Sequence, residues 1–184
     1  MSGPVEAAEE AAHKARETVK FLSCGTPIDA WFYAPPEGAP APAILMAHGM
    51  TCVKDQYLDD YAQRFNAAGY AVLVIDYRFL GASGGEPRGL VIPANQHDDL
   101  RASLQWLTDH PAVDAARIGL WGFSYSGGHV IQMAALDPRV KTVVSLAPAT
   151  DVLAQFGILA GKDGLADLLA AVTAEQMPRI LGAP

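Results

Sequence analysis

Cysteine, basic charge and long apolar runs are scarce in this sequence of 184 residues. Its two cysteines, Cys24 and Cys52, lack the spacing of a metal site or a redox motif. Lys and Arg number 13 against 20 Asp and Glu, which gives a net charge of −7. This balance argues against nucleic acid as a partner, because phosphate binding requires a basic face. No stretch reaches the roughly 18 apolar residues that a membrane span needs, so no membrane insertion is expected.

Residues 1–18 are acidic and rich in alanine, without the basic start and apolar run of a secretory signal. We interpret them as a surface helix or an arm, and a cytoplasmic location is expected by default. Phosphate-binding glycine motifs are missing as well. The turn after the first long apolar run reads HGMTCVKD and contains no Gly-x-Gly-x-x-Gly, so a nucleotide-binding oxidoreductase is disfavoured despite Asp76 at a strand end. No metal or organic cofactor is implied.

What the sequence does contain is a regular alternation of apolar runs and amphipathic stretches. The alternating pattern of VKFLSCGTPIDAWFYAPP predicts an antiparallel hairpin. Continuous apolar runs predict four buried strands, and helical spacing between them predicts three helices. Together these patterns predict an α/β fold over residues 19–151, with a mostly parallel, doubly wound sheet and an antiparallel N-terminal hairpin. Residues 152–184 have helical spacing and no strand pattern. The buried runs are APAILMAHG, AVLVIDYR, ARIGLWGF and VKTVVSLAP.

Two serines, Ser124 and Ser126, stand one residue apart in GLWGFSYSGGHV. A nucleophilic serine at a sharp turn between a strand and a helix needs small residues two positions away on either side. Ser124 meets this condition with Gly122 and Ser126, and it directly follows RIGLWGF, where the strand should end. Placing the turn at Ser126 would lengthen the strand and shorten the helix. Ser124 is therefore the predicted nucleophile, with Ser126 and Gly127 as small residues under the helix. The alternative is a helix cap that binds nothing.

Three motifs in this order resemble those of the α/β-hydrolase superfamily, in its dienelactone-hydrolase-like and peptidase-like esterase branches. HGM resembles the His-Gly oxyanion loop, and DYRFLGASGG resembles the Asp-x-Arg-Gly-x-Gly-x-Ser-x-Gly loop with a short insertion. GFSYSGG resembles the nucleophile elbow, with Ser126 where glycine is commonest. The resemblance runs from about Val19 to Asp151. It implies an α/β-hydrolase fold, incomplete at its C-terminal end.

The resemblance implies a role for each matching residue. Ser124 attacks an acyl carbonyl, and the backbone N–H groups of Met50 and Tyr125 form the oxyanion hole, in which the loss of one donor costs roughly 3–4 kcal/mol of barrier. The Thr51 hydroxyl is a weaker third donor. The implied activity is that of a serine hydrolase (EC 3) acting on an ester-like acyl bond of a small molecule. The acyl group, the leaving group and the oligomeric state stay open.

A serine nucleophile also needs a histidine to accept its proton and an acid to orient that histidine, in the chain order serine, acid, histidine. The histidine after Ser124 is His129, which lies too close along the elbow helix to reach back over the serine. Asp151, after the fourth apolar run, is the candidate acid. The sequence thus supplies a nucleophile and an oxyanion hole without the catalytic histidine.

Two explanations compete for this gap. The chain is either the N-terminal portion of a hydrolase of roughly 250–300 residues, with residues 152–184 beginning a lid, or an inactive binding protein of the same fold. The first is favoured, because the fourth strand would otherwise be a bare apolar edge of the sheet.

The remaining polar residues near strand ends are assigned structural roles. We expect His48 to orient the backbone of its loop. His97 and His110, at the two ends of a helix, are expected to be solvated. Asp76 and Arg78 are expected to tie down the glycine-rich loop that follows them.

Overall fold

The computed structural model describes residues 16–36 and 40–180. It divides into two compact units, Met1–Pro148 and Ala149–Pro184. Residues 1–15 of the predicted arm lie outside the described residues. The last three residues predicted as arm belong instead to the first strand, which begins at Arg16.

The first unit is built on a six-stranded sheet in the order β1-β2-β4-β3-β5-β6. The pairs β3–β4, β3–β5 and β5–β6 are parallel, and β1–β2 and β2–β4 are antiparallel. The predicted fold, a mostly parallel sheet with an antiparallel N-terminal hairpin, is confirmed. The strands are β1 (Arg16–Ser23), β2 (Thr26–Tyr33), β3 (Ala41–Ala47), β4 (Ala71–Ile75), β5 (Val113–Phe123) and β6 (Val140–Leu146).

Helices cover both faces of the sheet. They are α1 (Leu58–Ala67), α2 (Pro93–Asp109) and α3 (Tyr125–Leu136), followed in the second unit by α4 (Val152–Ile180). One face packs against the fully buried stripe of α2, which consists of Leu100, Leu104 and Leu107. The other face packs Trp31, Met46 and other side chains against α1. The alternation along β2 sends successive side chains to opposite cores, because strand residues point alternately to the two faces.

Two tight turns follow directly from the residues that form them. Ser23 pairs with Thr26 across a two-residue turn in which Cys24 and Gly25 have φ angles of 47° and 81°. Two positive φ angles match the twist of the flanking strands and favour glycine. The α1 helix ends at Ala67, and Gly69 follows two residues later with a φ of 96°, a conformation that glycine adopts readily at helix C-termini.

The strand β6 forms where it was predicted, but it is not buried. Its residues alternate between half-buried and exposed, and Val144 is 48% and Leu146 40% exposed. Within the described residues β6 pairs with β5 alone and forms one edge of the sheet. The apolar run correctly predicted a strand and wrongly predicted that both of its faces are covered.

The second unit contains the predicted helical segment. The α4 helix has a break at Gly161, where φ is 72° and ψ is 177°. The Asp151 Oδ1 atom accepts the backbone N–H of Ala154 at 2.9 Å, as a helix N-cap does. Among the helices of residues 16–36 and 40–180, none is both long and apolar enough to cross a membrane.

Candidate active site

Two loops meet at the carboxyl edge of the central parallel strands. The loop that starts at His48 follows β3, and Ser124 follows β5, its parallel neighbour. The last residue of β3, Ala47, pairs with Gly122 near the end of β5. Parallel strands place their following loops at one edge of the sheet, where α/β proteins bind ligands.

Ser124 stands at a sharp turn between β5 and α3. Its φ of 55° and ψ of −112° lie outside the regions that residues with side chains favour, at a cost of order 1–3 kcal/mol. Its backbone N–H donates to the Leu146 carbonyl oxygen at 2.8 Å, which ties the turn to the end of β6. The side chain is half-buried. A strained, partly accessible serine between a strand and a helix has the geometry of a nucleophile elbow.

Glycines permit the close packing around this turn. A Cβ at Gly122 would overlap the Ser126 carbonyl oxygen, and a Cβ at Gly127 would lie 2.9 Å from Pro148 Cα. Backbone atoms cannot move away from such contacts as a flexible side chain can. The small residues at these two positions therefore let α3 start directly beside β5 and β6.

The loop after β3 borders Ser124. A Cβ placed on Gly49 would lie 3.3 Å from Ser124 Cβ, a tight contact that the glycine avoids. The loop turns at Thr51, whose φ is 58°, and Cys52 N–H donates to the Gly49 carbonyl at 3.3 Å. The Met50 N–H, which is predicted as one oxyanion donor, belongs to this loop. Tyr125 is the first residue of α3, where an N–H has no partner within the helix.

A recess of about 450 Å³ opens in the first unit beside Gly49 and Phe123, which flank Ser124 in space and in sequence. Apolar and aromatic side chains dominate its walls, so it suits an apolar group. The lining residues are His48, Gly49, Cys52, Gln56, Tyr57, Leu58, Tyr61, Trp121, Phe123 and Leu146.

Ser126 is more than a small residue under the helix. It is fully buried, and its hydroxyl donates to the His48 carbonyl oxygen. Its oxygen also lies 2.8 Å from the Tyr77 hydroxyl. The sequence prediction missed these bonds, since the partners are 78 and 49 residues away along the chain.

The glycine-rich loop is held as predicted by Asp76 but not by Arg78. Asp76 Oδ2 accepts the Ala82 N–H at 2.9 Å. The Arg78 guanidinium is buried and instead bonds Asp99 of α2 at 2.7 Å and the Ser23 hydroxyl at 2.7 Å. Arg78 therefore joins α2 to the N-terminal hairpin.

A buried lysine beside the site was not predicted at all. Lys54 is 2% exposed, and its Nζ lies 2.6 Å from Asp76 Oδ2 and 2.8 Å from Asp29 Oδ1. Its backbone N–H donates to Asp76 Oδ1 at 2.7 Å. Burial alone would lower the pKa of Lys54, but the hydrogen bonds and charges of the two aspartates raise it. The loop after β3 is thus anchored to β2 and to the end of β4.

His48 has the structural role that the sequence predicted. It is buried, and its Nδ1 lies 2.9 Å from the Gly49 carbonyl oxygen. A carbonyl only accepts, so Nδ1 carries the proton. Its Nε2 has no hydrogen-bond partner in the described part of the chain and lies 3.8 Å from Asp76 Oδ1. Burial lowers the pKa of His48, so the ring is neutral.

The prediction that His97 and His110 are solvated is wrong. The His97 Nε2 and His129 Nδ1 atoms are 2.9 Å apart in a buried pair, and His129 Nε2 lies 2.8 Å from Gln96 Oε1. The His110 ring is half-buried and stacks near Phe32, at 4.4 Å between ring centroids. A sequence pattern locates the end of a helix, but it does not show which other element packs against that end.

Burial, and to a smaller extent the neighbouring His97, lowers the pKa of His129 to about 4. Burial also lowers the pKa of His97. None of the histidines at 48, 97, 110 and 129 forms a hydrogen bond with Ser124 in the described structure. His13 lies outside the described residues. The catalytic role of Asp151, which caps α4 in the second unit, stays a prediction.

Among residues 16–36 and 40–180, no group of three or more His, Cys, Asp or Glu side chains is arranged to hold a metal ion.

Comparison with curated proteins finds relatives of bacterial and fungal origin. The quorum-quenching protein AidA of Acinetobacter baumannii is 39% identical over 133 residues, which cover 72% of this chain and 44% of that protein. A thiohydrolase of Eupenicillium brefeldianum is 31% identical over 170 residues, which cover 92% of this chain and 53% of that protein. The chain therefore spans about half the length of the curated relatives it matches.

Comparison with solved structures agrees with the sequence comparison. The α/β hydrolase GrgF from Penicillium matches with a TM-score of 0.72 and 26% identity, over 92% of this chain and 68% of that one. The family model described as X-Pro dipeptidyl-peptidase (S15 family) matches residues 25–178. The chain therefore belongs to the X-Pro dipeptidyl-peptidase (S15) family and has the fold of the α/β hydrolases.

Proposed function

We propose that the protein is a serine hydrolase that cleaves an ester-like acyl bond through an acyl-enzyme on Ser124. The observation that carries this proposal is the strained turn at Ser124, with φ of 55° and ψ of −112°, directly beside the Gly49 backbone. A protein that used Ser124 only to cap a helix would not need this backbone strain. A relative named as a thiohydrolase supports hydrolysis as the reaction, and we propose an ester or a thioester as the bond cleaved.

In the proposed reaction the Ser124 hydroxyl oxygen attacks the acyl carbonyl carbon, and its proton passes to a general base. The tetrahedral oxyanion is stabilised by the N–H groups of Met50 and Tyr125. Collapse of this intermediate expels the alcohol or thiol, which takes the proton, and water then releases the acid from the acyl-serine. Each oxyanion donor contributes roughly 3–4 kcal/mol to lowering the barrier.

The general base of this proposal is a histidine outside residues 1–184. The described histidines are engaged elsewhere: His48 with Gly49, His97 with His129, and His110 with Ala112. The curated relatives are about twice as long as the matched region, which leaves room for such a residue. In a serine protease, loss of the histidine costs roughly a millionfold in turnover. The 184-residue chain by itself is accordingly expected to be nearly inert.

A comparison of two lengths of the protein tests this proposal. The protein encoded by the complete gene is expected to hydrolyse p-nitrophenyl butyrate or an acyl thioester, and Ser124→Ala is expected to abolish the reaction. Residues 1–184 alone are expected to show at most a trace of it. Turnover that survives Ser124→Ala would contradict the nucleophile assignment, and absence of turnover with all acyl substrates would favour the inactive binding protein.

A further inference from the structure

The buried hydroxyl of Ser126 joins three segments that surround the candidate site. It belongs to the first turn of α3, and it donates to the carbonyl of His48 at the end of β3. A serine hydroxyl carries one hydrogen, so the Tyr77 hydroxyl must be the donor in the 2.8 Å contact with the Ser126 oxygen. Tyr77 follows β4 and is fully buried.

The His48 carbonyl is the first link to the predicted oxyanion donor. Its peptide plane includes the Gly49 N–H, so a bond to this carbonyl fixes how the loop leaves the strand. The next peptide plane includes the Gly49 carbonyl and the Met50 N–H. That carbonyl accepts from His48 Nδ1 at 2.9 Å and from the Cys52 N–H at 3.3 Å. Hydrogen bonds to the carbonyl oxygens therefore fix both peptide planes. Because the N–H of a trans peptide points away from its carbonyl, the Met50 N–H points away from these bonds.

We infer that Ser126 is a positioning residue for the oxyanion hole: its hydroxyl orients the His48–Met50 backbone against Ser124, and Tyr77 holds that hydroxyl in direction. This inference rests on the proposed function. Glycine, the commonest residue at this position of the elbow motif, has no hydroxyl, so the His48 carbonyl would lose this hydrogen bond. The hydroxyl also links the nucleophile and the oxyanion loop directly, since it is two residues from Ser124 and bonds the residue two before Met50.

The substitution Ser126→Ala removes this bond and leaves two buried polar groups, the His48 carbonyl and the Tyr77 hydroxyl, without their partner. Complete loss of an oxyanion donor lowers kcat by roughly 10²–10³-fold. A misdirected donor is expected to cost about tenfold to a hundredfold in kcat, with KM within about twofold, because the donor acts on the transition state. Tyr77→Phe, which keeps the Ser126 donor but frees its rotation, is expected to cost less.

Ser145→Ala is the matched control. The Ser145 hydroxyl also donates to a backbone carbonyl of α3, that of Gly127, at 2.8 Å. It does not contact the loop after β3. A general loosening of α3 would therefore affect both variants, whereas positioning of the loop would affect Ser126→Ala alone.

The test uses the complete protein and two measurements. Steady-state hydrolysis of a p-nitrophenyl ester gives kcat and KM, and amide hydrogen exchange by NMR follows Gly49 and Met50. We expect Ser126→Ala to lower kcat as stated and to change the amide shifts and exchange rates of both residues, Tyr77→Phe to do so less, and Ser145→Ala to match the wild type.

Unchanged kcat, or unchanged Gly49 and Met50 amides in Ser126→Ala, would overturn the positioning role, and so would equal effects in Ser145→Ala. A wild-type protein without turnover that depends on Ser124 would instead contradict the proposed function. In that case the amide measurement alone still decides whether Ser126 orients the loop.

Discussion

Replacement of Lys54 by Met tests the buried charge network that anchors the oxyanion loop. The ammonium group lies 2.6 Å from Asp76 and 2.8 Å from Asp29, and all three residues are at most 5% exposed. The substitution keeps most of the side-chain volume but leaves two buried carboxylates without their shared cation. Removal of one partner from a buried ion pair typically costs about 3–5 kcal/mol. Asp76 loses this cation, whereas Asp29 keeps the exposed Lys20 at 3.7 Å, so the cost of Lys54→Met is expected within that range.

The magnitude is large against the roughly 5–15 kcal/mol that stabilise a whole domain. Lys54→Met should therefore move the midpoint of urea unfolding strongly, with little change in its slope. Tryptophan fluorescence reports the transition well, because the Lys54 Nζ lies 5.2 Å from the Trp31 ring centroid. A double variant that adds Asp29→Asn is expected to recover part of the lost free energy of unfolding, since it removes one of the two buried negative charges.

Arg101→Met provides the surface control for this experiment. Arg101 pairs with Asp98 at 3.0 Å, but both side chains are more than 40% exposed. Exposed pairs contribute about 0–1 kcal/mol. A loss in Lys54→Met as small as that in Arg101→Met would refute the reasoning that the network is buried and that it anchors the loop.

Three further variants test the strain, the packing and the histidine pair. Ser124→Gly is expected to raise the free energy of unfolding by about 1 kcal/mol, because glycine adopts this backbone conformation without strain. A free energy of unfolding below that of the wild type would contradict the strain. Gly122→Ala is expected to cost about 2 kcal/mol or more, because its Cβ overlaps the Ser126 carbonyl oxygen; thermal unfolding at an unchanged temperature would exclude this clash. Burial holds the pKa of His129 at about 4 in the folded chain against 6.5 in the unfolded chain. Its stabilising contribution, of order 3 kcal/mol, is therefore present above pH 6.5 and lost as the pH falls toward 4. His129→Gln should flatten the dependence of the free energy of unfolding on pH between about pH 4 and 6.5. If the free energy of unfolding, measured by urea titration at several pH values, changes with pH as steeply in the variant as in the wild type, the pKa shift of His129 is contradicted.

Local pattern predicted those parts of the fold that depend on neighbouring residues. Apolar runs identified β3 to β6, the alternating pattern identified the N-terminal hairpin, and the change from strand to helix spacing at Ser124 located the turn. Such patterns work because strand and helix periods are properties of consecutive residues. They did not predict the exposure of β6, since an apolar run shows that burial is favourable and not which element provides it.

The polar network around the site depends on contacts that no local pattern contains. The local pattern gives no sign that Lys54 is buried, yet it lies between Asp29 and Asp76. His97 looked like a solvated helix end, yet it pairs with His129 of another helix.

The residue that an activity-based probe labels tests the central claim most directly. The complete protein would be treated with a fluorophosphonate, and the modified peptide identified by mass spectrometry, with Ser124→Ala and Ser126→Ala as paired controls. The account predicts a single modification at Ser124, lost in Ser124→Ala and slowed but retained in Ser126→Ala. Modification at Ser126, or labelling that persists in Ser124→Ala, would contradict it.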